Sequence, residues 1–71
     1  MEEIAIQTDF IKLDSLLKFA ALVATGGEAK LLINDGLVSV NCEVCLMRGK
    51  KIVPGDVVSL NGQKIRVIHE D

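Results

Sequence analysis

Residues Thr25–Asn41, TGGEAKLLINDGLVSVN, decide how this chain folds. Thr25 is a suitable N-cap, and Glu28 follows at capping-box spacing, in which each side chain satisfies a backbone N–H at a helix start. Ala29, Leu32 and Ile33 fall on one helical stripe. Gly36, after Asn34 and Asp35, is the expected C′ residue in the left-handed conformation. Val38 and Val40 then alternate with Ser39 and Asn41 at strand period. The segment predicts a helix over roughly residues 26–35, with Lys30 on its polar side, and a strand over Leu37–Asn41.

Toward the N-terminus, Leu13–Ala24 predicts a first helix. Asp14 caps or charges its start, and Leu13, Leu16, Leu17, Ala20, Val23 and Ala24 form a broad apolar face. Lys18 is its only cation and has Asp14 at i, i+4, a pairing worth a few tenths of a kcal/mol. Before it, Glu3–Gln7 alternates around Ile4 and Ile6 and predicts a short strand that Thr8 and Asp9 end. Two such short helices are not stable alone and need a sheet to pack against.

The rest of the chain supplies that sheet. Asn41, Cys42 and Glu43 predict a turn, and Val44–Met47 a further strand. Arg48, Gly49, Lys50 and Lys51 form a basic loop. Pro54-Gly55 has the type II turn signature. Val57–Leu60 and Lys64–Ile68 flank Asn61-Gly62, the strongest hairpin signal present. The order β-α-α-β-β-β-β predicts an α+β fold: a two-helix hairpin packed on a small, mostly antiparallel sheet.

Seventy-one residues are one domain's length, residues 1–71. A chain of this size buries only about 60% of its unfolded surface, so the core is small and aliphatic. With two Phe and no Trp or Tyr, an aromatic platform for single strands is not expected. Net charge is −2, but four of the ten acids are Glu2, Glu3, Glu70 and Asp71 at the two ends. Between them, six acidic residues face eight basic ones, so a local basic patch is compatible with the composition and a strong non-specific polyanion binder is not. No apolar run approaches the ~20 residues of a membrane span. The start, MEEIAIQTDF, lacks a signal-peptide pattern, and the cytoplasm is the expected compartment.

Several chemistries are weakly supported or not supported at all. Cys42-Glu43-Val44-Cys45 is formally C-x-x-C. A zinc site needs about four ligands, and His69 is the sole other soft one. A redox pair belongs in a βαβ pattern that is missing here. The pair reads better as a turn residue and a small apolar one. His69 is expected beyond the last strand and exposed. There is no Ser/His/Asp set, so no enzyme activity, cofactor or metal is expected. A sulfur carrier would need Gly-Gly at its C-terminus, where this chain has His69-Glu70-Asp71. Thr25-Gly26-Gly27-Glu28 is a capping box and tight turn. It is also a helix start whose free N–H groups suit a phosphate, with the Glu28 carboxylate opposing one unless it is held in its cap. No Gly-Lys-Ser/Thr follows, so a nucleotide P-loop is not supported.

Residues 11–58, chiefly IKLDSLLKFAALVATGGEAKLLINDGLVSVN and RGKKIVPGDVV, resemble the RNA-binding domain named after small-subunit ribosomal protein S-four, the αL motif. Within it they are most similar to small stand-alone bacterial proteins of the YaaA/YbcJ type. The resemblance covers about two-thirds of the chain in the family's order. It implies an αL-motif fold that binds structured RNA, ribosomal or transfer RNA, through both helices and the loop that follows, with no catalytic residues. By position it implies contacts from Lys18, Thr25, Lys30, Asn41, Arg48, Lys50 and Lys51, with Gly26 and Gly27 letting the RNA backbone approach. In A-form RNA such contacts reach phosphates and 2′-hydroxyls and read shape more than sequence. The general family often has Arg after the hydroxyl residue, where this chain has Gly26. Its Val-Asn-Gly turn is here Val40-Asn41-Cys42, which puts a side chain where Gly takes positive φ at no steric cost. The expected partner is ribosomal RNA or an assembly intermediate on a ribosomal subunit, met by a monomer away from any membrane. The alternative is a protein-docking module on the same fold.

Overall fold

A computed structural model describes residues 1–70 of the chain. Its elements are β1 (Glu2–Ile6), β2 (Ile11–Lys12), α1 (Leu13–Phe19), α2 (Gly26–Asn34), β3 (Val38–Val40), β4 (Glu43–Val44), β5 (Lys51–Ile52), β6 (Val57–Leu60) and β7 (Gln63–His69). The fold is α+β, as expected. A five-stranded sheet runs in the order β1-β7-β6-β3-β4. Its one parallel pair is β1 with β7 (Glu2 opposite Ile65, Ile6 opposite His69), and its other pairs are antiparallel.

The inner faces of both helices and the sheet share one core. Leu13, Leu16 and Leu17 from α1 and Ala29 and Ile33 from α2 are fully buried with Val38, Val58, Ile65 and Val67 of the sheet. Ile65 and Val67 alternate with exposed Lys64 and Arg66, as period two requires. Leu32 is half-buried at the edge of the α2 stripe, and Lys30 is exposed.

Helix α2 begins and ends where its residues predict. The Glu28 N–H donates to Thr25 Oγ1 at 3.1 Å. The return bond differs from a capping box: Glu28 Oε1 accepts from the Ala24 N–H at 2.8 Å, one residue upstream of the cap. At the other end Gly36 has φ 76°. Its N–H donates to Ile33 O, and the Leu37 N–H to Leu32 O, both at 3.1 Å, which is a Schellman closure.

Helix α1 is shorter than expected. It stops at Phe19 rather than Ala24 because Ala21 takes φ 58°. The Ala21 N–H donates to Lys18 O and the Leu22 N–H to Leu17 O, each at 3.0 Å, the same closure as in α2. An alanine in the left-handed region costs about 1–2 kcal/mol, and no glycine announces it. What the turn achieves is burial of Val23 beside the leucines.

The strands β3 and β4 are also shorter than expected. Leu37 does not extend β3, because its N–H closes α2. Asn41 leaves the strand for a two-residue turn, in which Asn41 has φ 52° and Cys42 φ 71°. Two positive φ values make a type I′ hairpin despite the cysteine. With β3 so short, β4 holds only Glu43 and Val44; the Cys45 N–H still donates to Val38 O at 3.0 Å, and Leu46 and Met47 lie beyond the strand. Asn61 (φ 52°) and Gly62 (φ 80°) form the other hairpin as predicted. Strand β7 extends to His69, so that histidine pairs with Ile6 inside the strand instead of following it, and it is exposed.

One element was not expected. Ile11 and Lys12 pair antiparallel with Ile52 and Lys51 to make a separate two-stranded sheet. It turns half of the basic loop into a strand and buries Ile52 in the core.

Candidate nucleic-acid interface

The geometry of the basic segment begins at the N-terminus of α1. The residue at the cap position, Lys12, makes no side-chain cap bond, while Asp14 Oδ1 accepts from the Ser15 N–H at 2.7 Å within the first turn. The first two N–H groups are met by backbone carbonyls of the distant loop: Leu13 N–H donates to Lys50 O at 2.9 Å, and Asp14 N–H to Arg48 O at 3.1 Å. The loop is itself a tight turn, with the Lys50 N–H donating to Met47 O at 3.1 Å. Carbonyls spent on the helix leave the side chains of Arg48 and Lys50 exposed around its start.

The β2–β5 ladder adds two more cations. Lys12 stands directly opposite Lys51, both exposed. Residues so paired have Cβ atoms roughly 5 Å apart on one side of the ladder, and like charges there are destabilising. Lys51 relieves some of this by placing its Nζ 4.8 Å from the centre of the Phe10 ring, a cation–π contact. Lys12 lies inside the segment that carries the family resemblance, yet no local feature marks it. Only its pairing partner, far along the chain, shows that it belongs with the loop.

The remaining expected residues spread along the helical hairpin. Lys18 is exposed in the last turn of α1, and Lys30 is exposed on α2. Thr25 spends its oxygen as a cap. Gly26 and Gly27 form the exposed first turn of α2. A Cβ at Gly26 would meet nothing within 4 Å, and one at Gly27 would meet only Thr25 Oγ1 at 3.9 Å. Packing therefore does not require either glycine.

Asn41 has a well-defined structural task. Its Nδ2 donates to Asp56 Oδ1 at 3.0 Å, and its Oδ1 accepts from the Val57 N–H at 2.9 Å. Asp56 Oδ2 in turn accepts from the Val53 N–H at 3.0 Å. These bonds tie the β3–β4 turn to the Pro54-Gly55 turn, where Gly55 has φ 101°. Asn41 thus holds in place the segment that leads out of the basic loop.

The cysteines are free, Cys42 exposed and Cys45 half-buried. Cys45 Sγ lies 3.6 Å from Met47 O. Among the described residues no three His, Cys, Asp or Glu groups are placed to hold a metal ion, and no helix is long and apolar enough to cross a membrane.

Comparison with known proteins is consistent with this geometry. The S4 domain family model matches residues 4–68. A probable ribosome maturation protein, RlbA of Bacillus subtilis (strain 168), is 41% identical over 59 residues, covering 83% of each chain. The solution structure of YbcJ from E. coli, described as revealing an αL motif involved in RNA binding, superimposes with a TM-score of 0.66 at 30% identity, over 94% of this chain and 84% of that one. The crystal structure of the 30S ribosomal protein S4e from Thermoplasma acidophilum shares the fold with a TM-score of 0.75 at 24% identity. There the match covers 92% of this chain but only 34% of the larger protein.

Proposed function

The chain belongs to the S4 domain family, and on that footing we propose that it binds structured RNA, either ribosomal RNA or a ribosome-assembly intermediate. The observation that carries the reading is the cation cluster at the start of α1. Lys12 and Lys51 oppose each other across a ladder, with Arg48 and Lys50 beside them. Folding alone gains nothing from this like-charge arrangement, and a row of phosphates removes its cost. The printed descriptions of YbcJ and RlbA, an RNA-binding motif and ribosome maturation, point the same way.

In this reading Lys12, Arg48, Lys50 and Lys51 neutralise one stretch of phosphates, and Lys18 and Lys30 extend the contact along the hairpin. Thr25, Gly26 and Gly27 let the backbone come close to the N–H groups of α2. Asn41 acts by positioning. The protein works in the cytoplasm as a monomer recognition module, without catalysis or a cofactor. If about four to six phosphates are neutralised, log affinity falls against log salt with a slope of roughly −3 to −5. Lys18, Lys50 and Lys51 changed together to Glu abolish binding to ribosomal RNA while the melting curve stays in place. Undiminished binding by that variant overturns the site.

A second reading, a protein-docking module, has one observation in its favour. Val44 (61% exposed), Leu46 (60%) and Met47 (67%) border a cleft of about 240 Å³ beside the free edge of β4. Recovery of a protein partner after nuclease treatment, with no RNA recovered before it, decides for that reading.

A further inference from the structure

Phe10 stands two residues before Lys12, and Lys12 pairs with Lys51 across the β2–β5 ladder. That makes Phe10 the diagonal neighbour of Lys51, a separation of roughly 7–8 Å that a ring and a long side chain can span. The two do meet: the Lys51 Nζ lies 4.8 Å from the centre of the Phe10 ring. The backbone that carries the ring is itself held. Thr8 Oγ1 donates to Phe10 O at 2.7 Å, bridging the bend that leads into the ladder.

Phe10 thus sets where one cation of the phosphate site stands. A lysine ammonium on its flexible stem loses rotamer freedom when a phosphate pins it, and that loss weakens binding. Attraction to the face of the ring restricts Lys51 before any ligand arrives. The contact spends no N–H bond, so all three ammonium donors stay available to phosphate oxygens. Its direction matters as well. The ring draws the Lys51 ammonium diagonally, away from the position facing Lys12, so the two charges are spread along the ladder. We propose that Phe10 is a positioning residue for RNA binding: it holds the Lys51 ammonium in place for a phosphate separate from the one that Lys12 meets. This rests on the RNA reading above and adds to the site an uncharged residue that acts through Lys51.

The test is a double-mutant cycle on binding to ribosomal RNA. Phe10→Leu lowers affinity about threefold, the scale of one long side chain left free. Lys51→Gln alone lowers it more, and Phe10→Leu adds nothing on the Lys51→Gln background. Phe10→Trp, which also offers a ring face to a cation, retains wild-type affinity. Without RNA, the ring shifts the Lys51 Cε protons upfield in the NMR spectrum; Phe10→Leu abolishes this shift and Phe10→Trp keeps it. Any loss of stability in Phe10→Leu is read from its melting curve and is common to both backgrounds, so the cycle cancels it. An equal loss from Phe10→Leu on both backgrounds, undiminished affinity in Phe10→Leu, or an unshifted Lys51 in the wild type overturns this proposal alone. Failure of the wild type to bind ribosomal RNA overturns the RNA reading, and this proposal with it.

Discussion

Helix α2 is closed at its start by its own neighbours, Thr25 and Glu28, whereas α1 is closed by the carbonyls of Arg48 and Lys50 from the other half of the chain. The two starts differ in charge as well. Around α1 stand Lys12, Arg48, Lys50 and Lys51. The start of α2 is bare, with two exposed glycines and the Glu28 carboxylate held in its cap. A locally capped helix needs no visitor, so its surface is free to be open and uncharged. A helix capped from afar draws a whole loop to its end, and with that loop come its cations. The same contacts therefore complete the fold and assemble the proposed phosphate site.

The strongest way to break this contrast is to reverse charge at the start of α1. Lys12, Lys50 and Lys51 changed together to Glu lower affinity for ribosomal RNA at least about a hundredfold, given several lost phosphate contacts. Filter binding at fixed salt measures this. Deleting Gly49 acts on the fold instead. It removes the turn that presents the Lys50 and Arg48 carbonyls, and loss of the two hydrogen bonds costs about 2 kcal/mol in a urea melt. Thr25→Ala removes the local cap of α2 for about 1 kcal/mol, with a much smaller effect on RNA affinity than the Gly49 deletion. The smallest expected change separates packing from approach at the glycines. Gly26→Ala with Gly27→Ala stabilises the helix by about 0.5–1 kcal/mol, since neither methyl meets an obstacle. If RNA comes close there, the same variant binds about fivefold more weakly. Unchanged affinity removes the α2 start from the interface.

Where a feature depends on near neighbours, it was legible in advance. Thr25 and Glu28, Gly36, Asn61-Gly62 and Pro54-Gly55 each carry their geometry in adjacent residues, and each forms as expected apart from the one-residue shift in the Glu28 bond. The basic loop and Lys18 were legible as charge. Cys42, expected in a turn at the position where the family has Gly, takes φ 71° there, with Asn41 and Asp56 holding the backbone. Two features were hidden. Ala21 adopts a conformation its residue type disfavours, so nothing announces the early end of α1. Lys12 looks like an ordinary residue before a helix until Lys51 is placed across from it.

The sequence by itself therefore determined the class of fold, the limits of α2, two of the turns and the stretch where positive charge is dense, because caps, periodicity and turn residues act over a few bonds. Tertiary structure alone decided which cations stand together, where α1 stops and what closes its start. Those outcomes depend on a two-residue ladder between Ile11–Lys12 and Lys51–Ile52 and on two carbonyls reaching α1. Contacts between residues so far apart in the chain have no local period, and they form only once the shared core brings the segments together.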